Sequence, residues 1–408
     1  MDWKTRAGLV TAGAALAVLG GAAASGAAFA APAGGLAITM KPPLVIKVLG
    51  HTRDGKPVFA STVPTGLGPS VIAKVYHLSG MSPSSGAGKG QVIAVVDAFR
   101  DKTALADLNT FNTQYGYPQL STCTSLTQAG PCFKAYNPQG TPSTNRIWNG
   151  EESLDIEWAH AEAPAAKIVL VQTKDAFPPS MFMGVTYAGT TLKATEVSMS
   201  WDTPQYAGET SYDSAFTHPG TLYTGSSGDY GHYSEYPAAA PNVIAVGGTT
   251  LKGCGGTSCP GTVHETAWSG SGGGISTFEK IAGYQSSYTG AVSGAATVNA
   301  LTGGKRGIPD VSFDANPATG VSVYSSAYGG WLTLGGTSVS APNWAGILAA
   351  GASAGKTALQ GDSAIYSGGY KTNLRDITSG SNGGCGTDCR AGKGYDLVTG
   401  LGSPINYP

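Results

Sequence analysis

The chain has 408 residues, of which 61 are Gly and 24 are Pro, a share of turn-forming residues well above average usage that excludes a helical bundle or a coiled coil. Only 12% of residues are charged while 41% are hydrophobic, which excludes intrinsic disorder, since that needs high net charge and few apolar groups. A net charge of −1 leaves no bulk positive field of the kind that draws nucleic acid or an anionic membrane.

Residues 1–30 read as a secretory signal peptide. Lys4 and Arg6 form a charged head, an uncharged Ala/Gly-rich run extends from Ala7 to Gly26, and Ala28-Phe29-Ala30 has the small-residue form of a cleavage site. No basic stop-transfer residues follow and no later segment could span a bilayer, so the mature protein is expected to be secreted, extracellular and free of the membrane. Residues 31–89 are rich in Pro, Gly and Ser, with a strand-like patch at Leu44 to Val48, and read as a short pro-segment or N-terminal extension.

From Gly90 the character changes, and residues 90–408 read as the main domain. Val92 to Val96 is an uninterrupted apolar run ending in Asp97, the pattern of a strand buried on both faces, and similar runs recur at Ile168 to Val171, Val197 to Ser200 and Val243 to Val246. Helix-compatible stretches lie between them at Lys102 to Tyr115, Glu151 to Ala163 and Ser180 to Ala188. Strands alternating with helices predict a doubly wound α/β domain with a mainly parallel central sheet, helices on its faces and long glycine-rich loops. Near the C-terminus a strand from Trp331 to Leu334 runs through Gly335-Gly336-Thr337-Ser338 into an Ala-rich helix reaching about Ala354. The six cysteines fall in three close pairs, Cys123/Cys132, Cys254/Cys259 and Cys385/Cys389, which in an exported chain read as loop-stapling disulfides. A zinc site is the weaker reading, because only His264 lies near a pair.

Four local patterns carry chemistry. In Gly336-Thr337-Ser338-Val339-Ser340-Ala341-Pro342 a sharp turn delivers Ser338 to a helix start, where a backbone N–H faces any anion that forms; the same position also suits a simple N-cap. In Asn149-Gly150-Glu151-Glu152-Ser153-Leu154-Asp155, Asn149 is expected to cap a helix with Glu152 three residues on, and Glu151 and Asp155, at i and i+4, share one face. Asp229 sits in Gly225-Ser226-Ser227-Gly228-Asp229-Tyr230-Gly231 after a strand-like Thr221 to Thr224, a place that equally suits a turn residue. Lastly, Asp376 and Asp396 flank a glycine loop containing Cys385 and Cys389, offering hard oxygen donors that suit Ca²⁺.

Together, and in this order, the four patterns resemble the sedolisins, serine-carboxyl peptidases with a subtilisin-like fold, over roughly Gly90 to Pro404. The resemblance implies Ser338 as nucleophile, Glu151 rather than Glu152 as base, Asp155 as its partner and Asp229 in the oxyanion hole. It also implies one structural Ca²⁺ held by Asp376 and Asp396 with Ile377, Gly392 and Gly394, a monomer, and protein or peptide substrates. Sedolisins usually carry a longer folded prodomain than the stretch before Gly90 provides. Trp201, Tyr230 and Gly272 to Gly274 are candidate cleft liners.

Such a site needs Glu151 ionised and Asp229 protonated at once. With a carboxyl pKa of about 5 at Asp229, only roughly 1% would hold its proton at about pH 7, so a bell-shaped rate profile peaking on the acid side of neutrality is expected. One alternative is a Ser-His-Asp peptidase using Asp97, which otherwise reads as an outer partner of the Glu151/Asp155 pair. The other is a non-catalytic binding protein on a peptidase fold.

Overall fold

The computed structural model describes residues 38–355, 362–369 and 372–406; the signal segment at residues 1–30 lies outside them. All described residues fall within one compact unit. Its centre is a sheet in which Phe133–Tyr136, Lys167–Thr173, Val92–Ala98, Glu196–Met199, Leu222–Ser226 and Ile244–Lys252 lie side by side, all parallel. Val311–Asp314 pairs parallel with Ile244–Lys252, and His264–Ala267 closes that edge antiparallel. The doubly wound α/β expectation therefore holds.

Strand periodicity sorts the side chains onto two covered faces. Ile93, Val95, Ile168 and Leu170 share a core with Ile156, Ala159 and Ala163 of the helix Arg146–Glu162 and with Ala345 and Ala349 of the helix Thr337–Ser353. The alternate residues Val96, Val171 and Thr173 meet Gly184 of the helix Pro178–Thr190 on the opposite face. On the first face the two helices touch so closely that a Cβ at Gly346 would lie 2.3 Å from the Glu162 Cβ. Every residue from Trp148 to Glu162 is buried, which is why this helix carries so little amphipathic pattern.

Chain order reverses at Val92–Ala98, which has Lys167–Thr173 on one side and Glu196–Met199 on the other. Crevices at the carboxyl ends of strands beside such a reversal are where α/β folds place their sites. Asp97, Ser200 to Asp202 and Ser226 to Asp229 all sit at or just beyond those ends.

Residues on the N-terminal side of Gly90 pack into the core of the main domain. Leu67, Ile72, Tyr76 and Met81 belong to the same core as Trp158, Phe313 and Trp344. The hydroxyl of Tyr76, at the end of the helix Pro69–Tyr76, accepts from Asp314 N at 2.9 Å and donates to Glu265 Oε1 at 2.9 Å. All three expected disulfides are formed: Cys123–Cys132, Cys254–Cys259 and Cys385–Cys389. Among the described residues, the histidine grouped with a cysteine pair is His232, next to Cys385 and Cys389, and disulfide-bonded sulfurs are not thiolate ligands.

Candidate active site

The helix that carries Glu151 starts one turn earlier than the sequence suggests. Its N-cap is Asn145, whose Oδ1 accepts from Ile147 N at 3.0 Å and Trp148 N at 3.4 Å. Asn149 lies inside the helix, and its Nδ2 donates instead to Arg100 O at 2.9 Å and Glu152 Oε2 at 3.3 Å. The expected capping box is thus replaced by a single Asx cap upstream, because Asn145 has the extended backbone a cap needs. Glu151 and Asp155 remain one turn apart on one face, both without exposed surface. Glu152 faces elsewhere, taking a hydrogen bond from Gln172 Nε2 at 2.8 Å.

Ser338 arrives as foreseen. The strand Gly330–Gly335 ends at Gly336, which has φ of 104°, and the helix begins at Thr337. A side chain at Gly336 would be strained by that angle and would collide with Asp229 Oδ2 at 2.5 Å. Ser338 is the second helical residue, so its N–H belongs to the first turn, which has no intrahelical acceptor.

Asp229 follows the strand Leu222–Ser226 and crosses over to this turn. Its Oδ1 accepts from Thr337 N at 2.8 Å and Thr337 Oγ1 at 3.0 Å, while the same Thr337 Oγ1 accepts from Gly228 N at 3.1 Å. Ser200 ties the other side together: its hydroxyl donates to Asp155 Oδ1 at 2.9 Å and reaches Ser338 O at 3.3 Å. Four side chains from three distant parts of the chain, Glu151, Asp155, Asp229 and Ser338, are therefore assembled in one place.

The electrostatics are those of a carboxyl cluster in low dielectric. Burial pushes Glu151 well above the usual carboxylate range, the charge of Asp97 pushes it further, and the Ser338 hydroxyl and the Asp155 carboxyl pull it back. Asp155 is raised by burial, then by Asp97 and Glu151, with Ser200 opposing. Asp97, wholly buried, is raised by burial, and neither of its oxygens has a hydrogen-bond partner among the described residues. Asp229 is pushed up to about 8, again chiefly by burial, against the lowering effect of the two Thr337 bonds. Buried carboxyls without cations hold protons. Asp155 and Glu151 are placed to share one, with the charge on Glu151 favoured by the nearby Ser338 hydroxyl and Asp155 carboxyl.

No hydrogen bond among the described residues links Ser338 or Asp97 to a histidine. His160, at the far end of the Glu151 helix, is buried against Tyr117 and lowered to about 4 by burial. Among the described residues Ser338 Oγ and both Glu151 oxygens make no hydrogen bond, although the hydroxyl lies close enough to favour the ionised carboxylate; such contacts commonly tighten only when substrate arrives.

Several residues of the cluster escaped the sequence reading. Asp202 and Glu235 sit next to the Asp229 loop, Asp202 raised by burial and then by Glu235 and Asp229, and Glu235 pushed up to about 7 by burial. Ser200-Trp201-Asp202 directly follows a strand end, which was the one available signal. Of the expected cleft liners, Tyr230 is 64% exposed, whereas Trp201 is fully buried and donates its indole N–H to Val96 O at 2.7 Å. Gly272 backs the Asp229 loop, its N–H donating to Gly228 O at 2.6 Å.

A second cluster lies in the C-terminal loops. Asp396 Oδ2 accepts from Gly392 N at 2.8 Å, and Asp376 Oδ2 accepts from Gly394 N at 2.9 Å. Asp396 Oδ1 takes Val398 N at 2.9 Å and Thr399 N at 2.8 Å. The two carboxyls thus bracket the glycine loop and are tied to it by its backbone N–H groups.

A doubly wound, mainly parallel sheet with a serine turn facing a buried carboxyl pair defines a serine-carboxyl site on a subtilisin-like scaffold. Comparison with known proteins points to the same fold. Kumamolisin from Bacillus sp. (strain MN-32) is 30% identical over 378 residues, covering 85% of this chain and 63% of the relative. Sedolisin from Pseudomonas sp. (strain 101) is 28% identical over 391 residues, covering 86% and 62%. The solved structure of Pseudomonas sedolisin, a serine-carboxyl proteinase complexed with two molecules of pseudo-iodotyrostatin, superposes with a TM-score of 0.67 at 27% identity, over 84% of this chain and 96% of that one. No protein-family model matches the chain. Over most of its length the chain is similar to the sedolisin family. It spans 63% and 62% of the lengths of the two curated relatives.

Proposed function

We propose that the protein is a secreted serine-carboxyl endopeptidase that hydrolyses protein or peptide substrates in the pH range where Glu151 is ionised and Asp229 protonated. The observation that carries this reading is the convergence of Ser338, Glu151, Asp155 and Asp229 without a histidine. Glu151 takes the Ser338 proton as the hydroxyl adds to the scissile carbonyl, and Asp155 holds Glu151 and its proton balance. Protonated Asp229 and the Ser338 N–H stabilise the oxyanion. The active form carries one negative charge in the cluster, on Glu151. That state follows the first ionisation of the coupled carboxyls and is lost at the next, which gives a bell-shaped profile. The signal-like residues 1–30 support export. Among the described residues no helix is long and apolar enough to cross a membrane. The reading takes the protein as a monomer.

We also propose that Asp376, Ile377, Gly392, Gly394 and Asp396 hold one structural Ca²⁺. What supports this reading is that Asp376 and Asp396 close on one glycine loop; oxygen donors suit Ca²⁺, and the ion would tie two C-terminal loops together without entering the reaction.

The test is peptide hydrolysis against pH by the wild type beside Ser338→Ala and Glu151→Gln. Both variants should lose about 10³-fold or more in kcat while keeping the wild-type circular dichroism. Retained activity in either would remove that residue from the mechanism. A folded, calcium-loaded wild type with no activity would favour a binding protein on this scaffold.

A further inference from the structure

The C-terminal disulfide Cys385–Cys389 closes against the loop that carries Asp229. His232, on that loop, donates its backbone N–H to Asn382 O at 3.0 Å, and Asn382 N donates in turn to Cys389 O at 3.1 Å. Asn382 Nδ2 ties the same corner to Ser271 O at 3.0 Å. The two loops leave no room for a side chain between them: a Cβ at Gly383 would lie 2.8 Å from Cys389 Sγ and 3.3 Å from the His232 Cβ. A ring nitrogen of His232 and the two sulfurs all lie within 4.8 Å of one another. His232 Nδ1 is buried and has no hydrogen-bond partner among the described residues, and the Asp388 carboxylate is near enough to act on the ring through its charge. Among the described residues neither of the other two disulfides is grouped with a histidine or a carboxylate in this way.

We propose that the reduced form of this pair is a site for a thiolate-seeking divalent cation, Zn²⁺ being the best match, with Cys385, Cys389, His232 and Asp388 as its four ligands. The site stands apart from the peptidase reading and from the Ca²⁺ loop. Two cysteines at a sequence separation of 4, a histidine from a second loop and a carboxylate make a mixed sulfur, nitrogen and oxygen set, which selects Zn²⁺ over Ca²⁺. In the oxidised chain the S–S bond occupies both sulfurs, and a small-molecule thiol opens it. Cys385 is exposed and Cys389 buried, so the thiolate of that reductant attacks the Cys385 sulfur and Cys389 leaves as a thiolate. A second thiol then displaces Cys385. Two thiols are thereby oxidised to one small-molecule disulfide, and the two cysteines take up the two electrons and two protons. The backbone spacing already suits the ion. Cα atoms 5.3 Å apart let the freed sulfurs swing to the roughly 3.8 Å separation that a tetrahedral centre with bonds of about 2.3 Å requires. Binding releases the thiol protons and replaces the S–S link with a metal link that also reaches His232, so the corner beside Asp229 stays pinned in either redox state.

The test uses the full chain, reduced with a small dithiol, desalted without oxygen at neutral pH and titrated with Co²⁺, whose thiolate charge-transfer and tetrahedral absorption bands report the ligand set. One Co²⁺ per chain, displaced by Zn²⁺, is expected in the reduced wild type and none in the oxidised one. His232→Ala should lose those bands, and Asp388→Ala should weaken binding by at least the tenfold or so that losing a supporting group costs. Cys385→Ser/Cys389→Ser, which keeps the other four cysteines, should show no band after the same reduction. A folded, reduced wild type without the bands, bands in the double variant, or binding indifferent to His232→Ala overturns the proposal. Cys385→Ser alone reads the same site without any reductant, since it leaves Cys389 free and the other disulfides intact. It should give a weaker, single-thiolate band that disappears when His232→Ala is added. If reduction unfolds the wild type, absence of that band overturns the proposal.

Discussion

Asp229 shows how a single carboxyl sets the conditions for the proposed chemistry. Its Oδ1 is taken by the two Thr337 donors, which leaves Oδ2 facing the Pro43 carbonyl. Burial pushes the group up to about 8, well above the value of about 5 assumed from the sequence for an ordinary perturbed carboxyl. The proton needed for donation is therefore held through neutrality, and the fall in rate on the alkaline side is expected near the loss of that proton. An amide at this position donates without titrating. Asp229→Asn should lower kcat by roughly 10- to 10³-fold, the usual cost of a poorly matched oxyanion donor, and should shift or abolish the alkaline limb of the wild-type profile. An unchanged limb would assign it to another group. Ser338, Glu151 and Asp155 were legible in the sequence because their geometry is local: a glycine turn into a helix, and an i, i+4 spacing. Thr337, Ser200, Asp202 and Glu235 were not, since their partners lie across the fold.

At the scale of elements, the site depends on two helices pressed together and on loops stapled beside them. The alternation of strands and helices was readable from apolar runs, but helix ends were not. Asn145 and Asn149 are both plausible caps in sequence, and only the backbone at Asn145 is extended. Equally hidden was the pairing of Val45–Ile46 with the strand that leads to Ser338, since a short strand-like patch carries no sign of its partner. The C-terminal loops make a prediction of their own. With one Ca²⁺ bound between Asp376 and Asp396, chelation should lower the unfolding midpoint by several degrees, and restoring Ca²⁺ should recover it, because a ligand that binds only the folded state stabilises it by mass action. An unchanged midpoint would remove the ion from the account.

Over the whole molecule, the scarcity of charge noted in the composition has become a scarcity of paired carboxylates. Burial raises Asp229, Glu196 and Glu279 to about 8 and Glu209 and Glu235 to about 7. In the unfolded chain such groups release their protons near about pH 4. Between those values the folded state binds more protons than the unfolded one, so stability falls as pH rises. His160, lowered to about 4 by burial, acts in the opposite sense below its ordinary value, but it is one group against these five. At constant saturating Ca²⁺ the unfolding temperature should therefore be higher at about pH 5 than at about pH 8, the reverse of a protein held by ionised salt bridges; calorimetry across that range decides it, and a midpoint that climbs with pH would show that these carboxyls are ionised in the fold. The central claim, that Ser338 forms an acyl-enzyme with a carboxylate rather than an imidazole as its base, is tested most directly by acid-quenched mass spectrometry during turnover of a peptide ester. The account predicts an acyl adduct on Ser338 in the wild type that fails to accumulate in Glu151→Gln. An adduct on another residue, or one that forms equally fast without the Glu151 carboxylate, would contradict it.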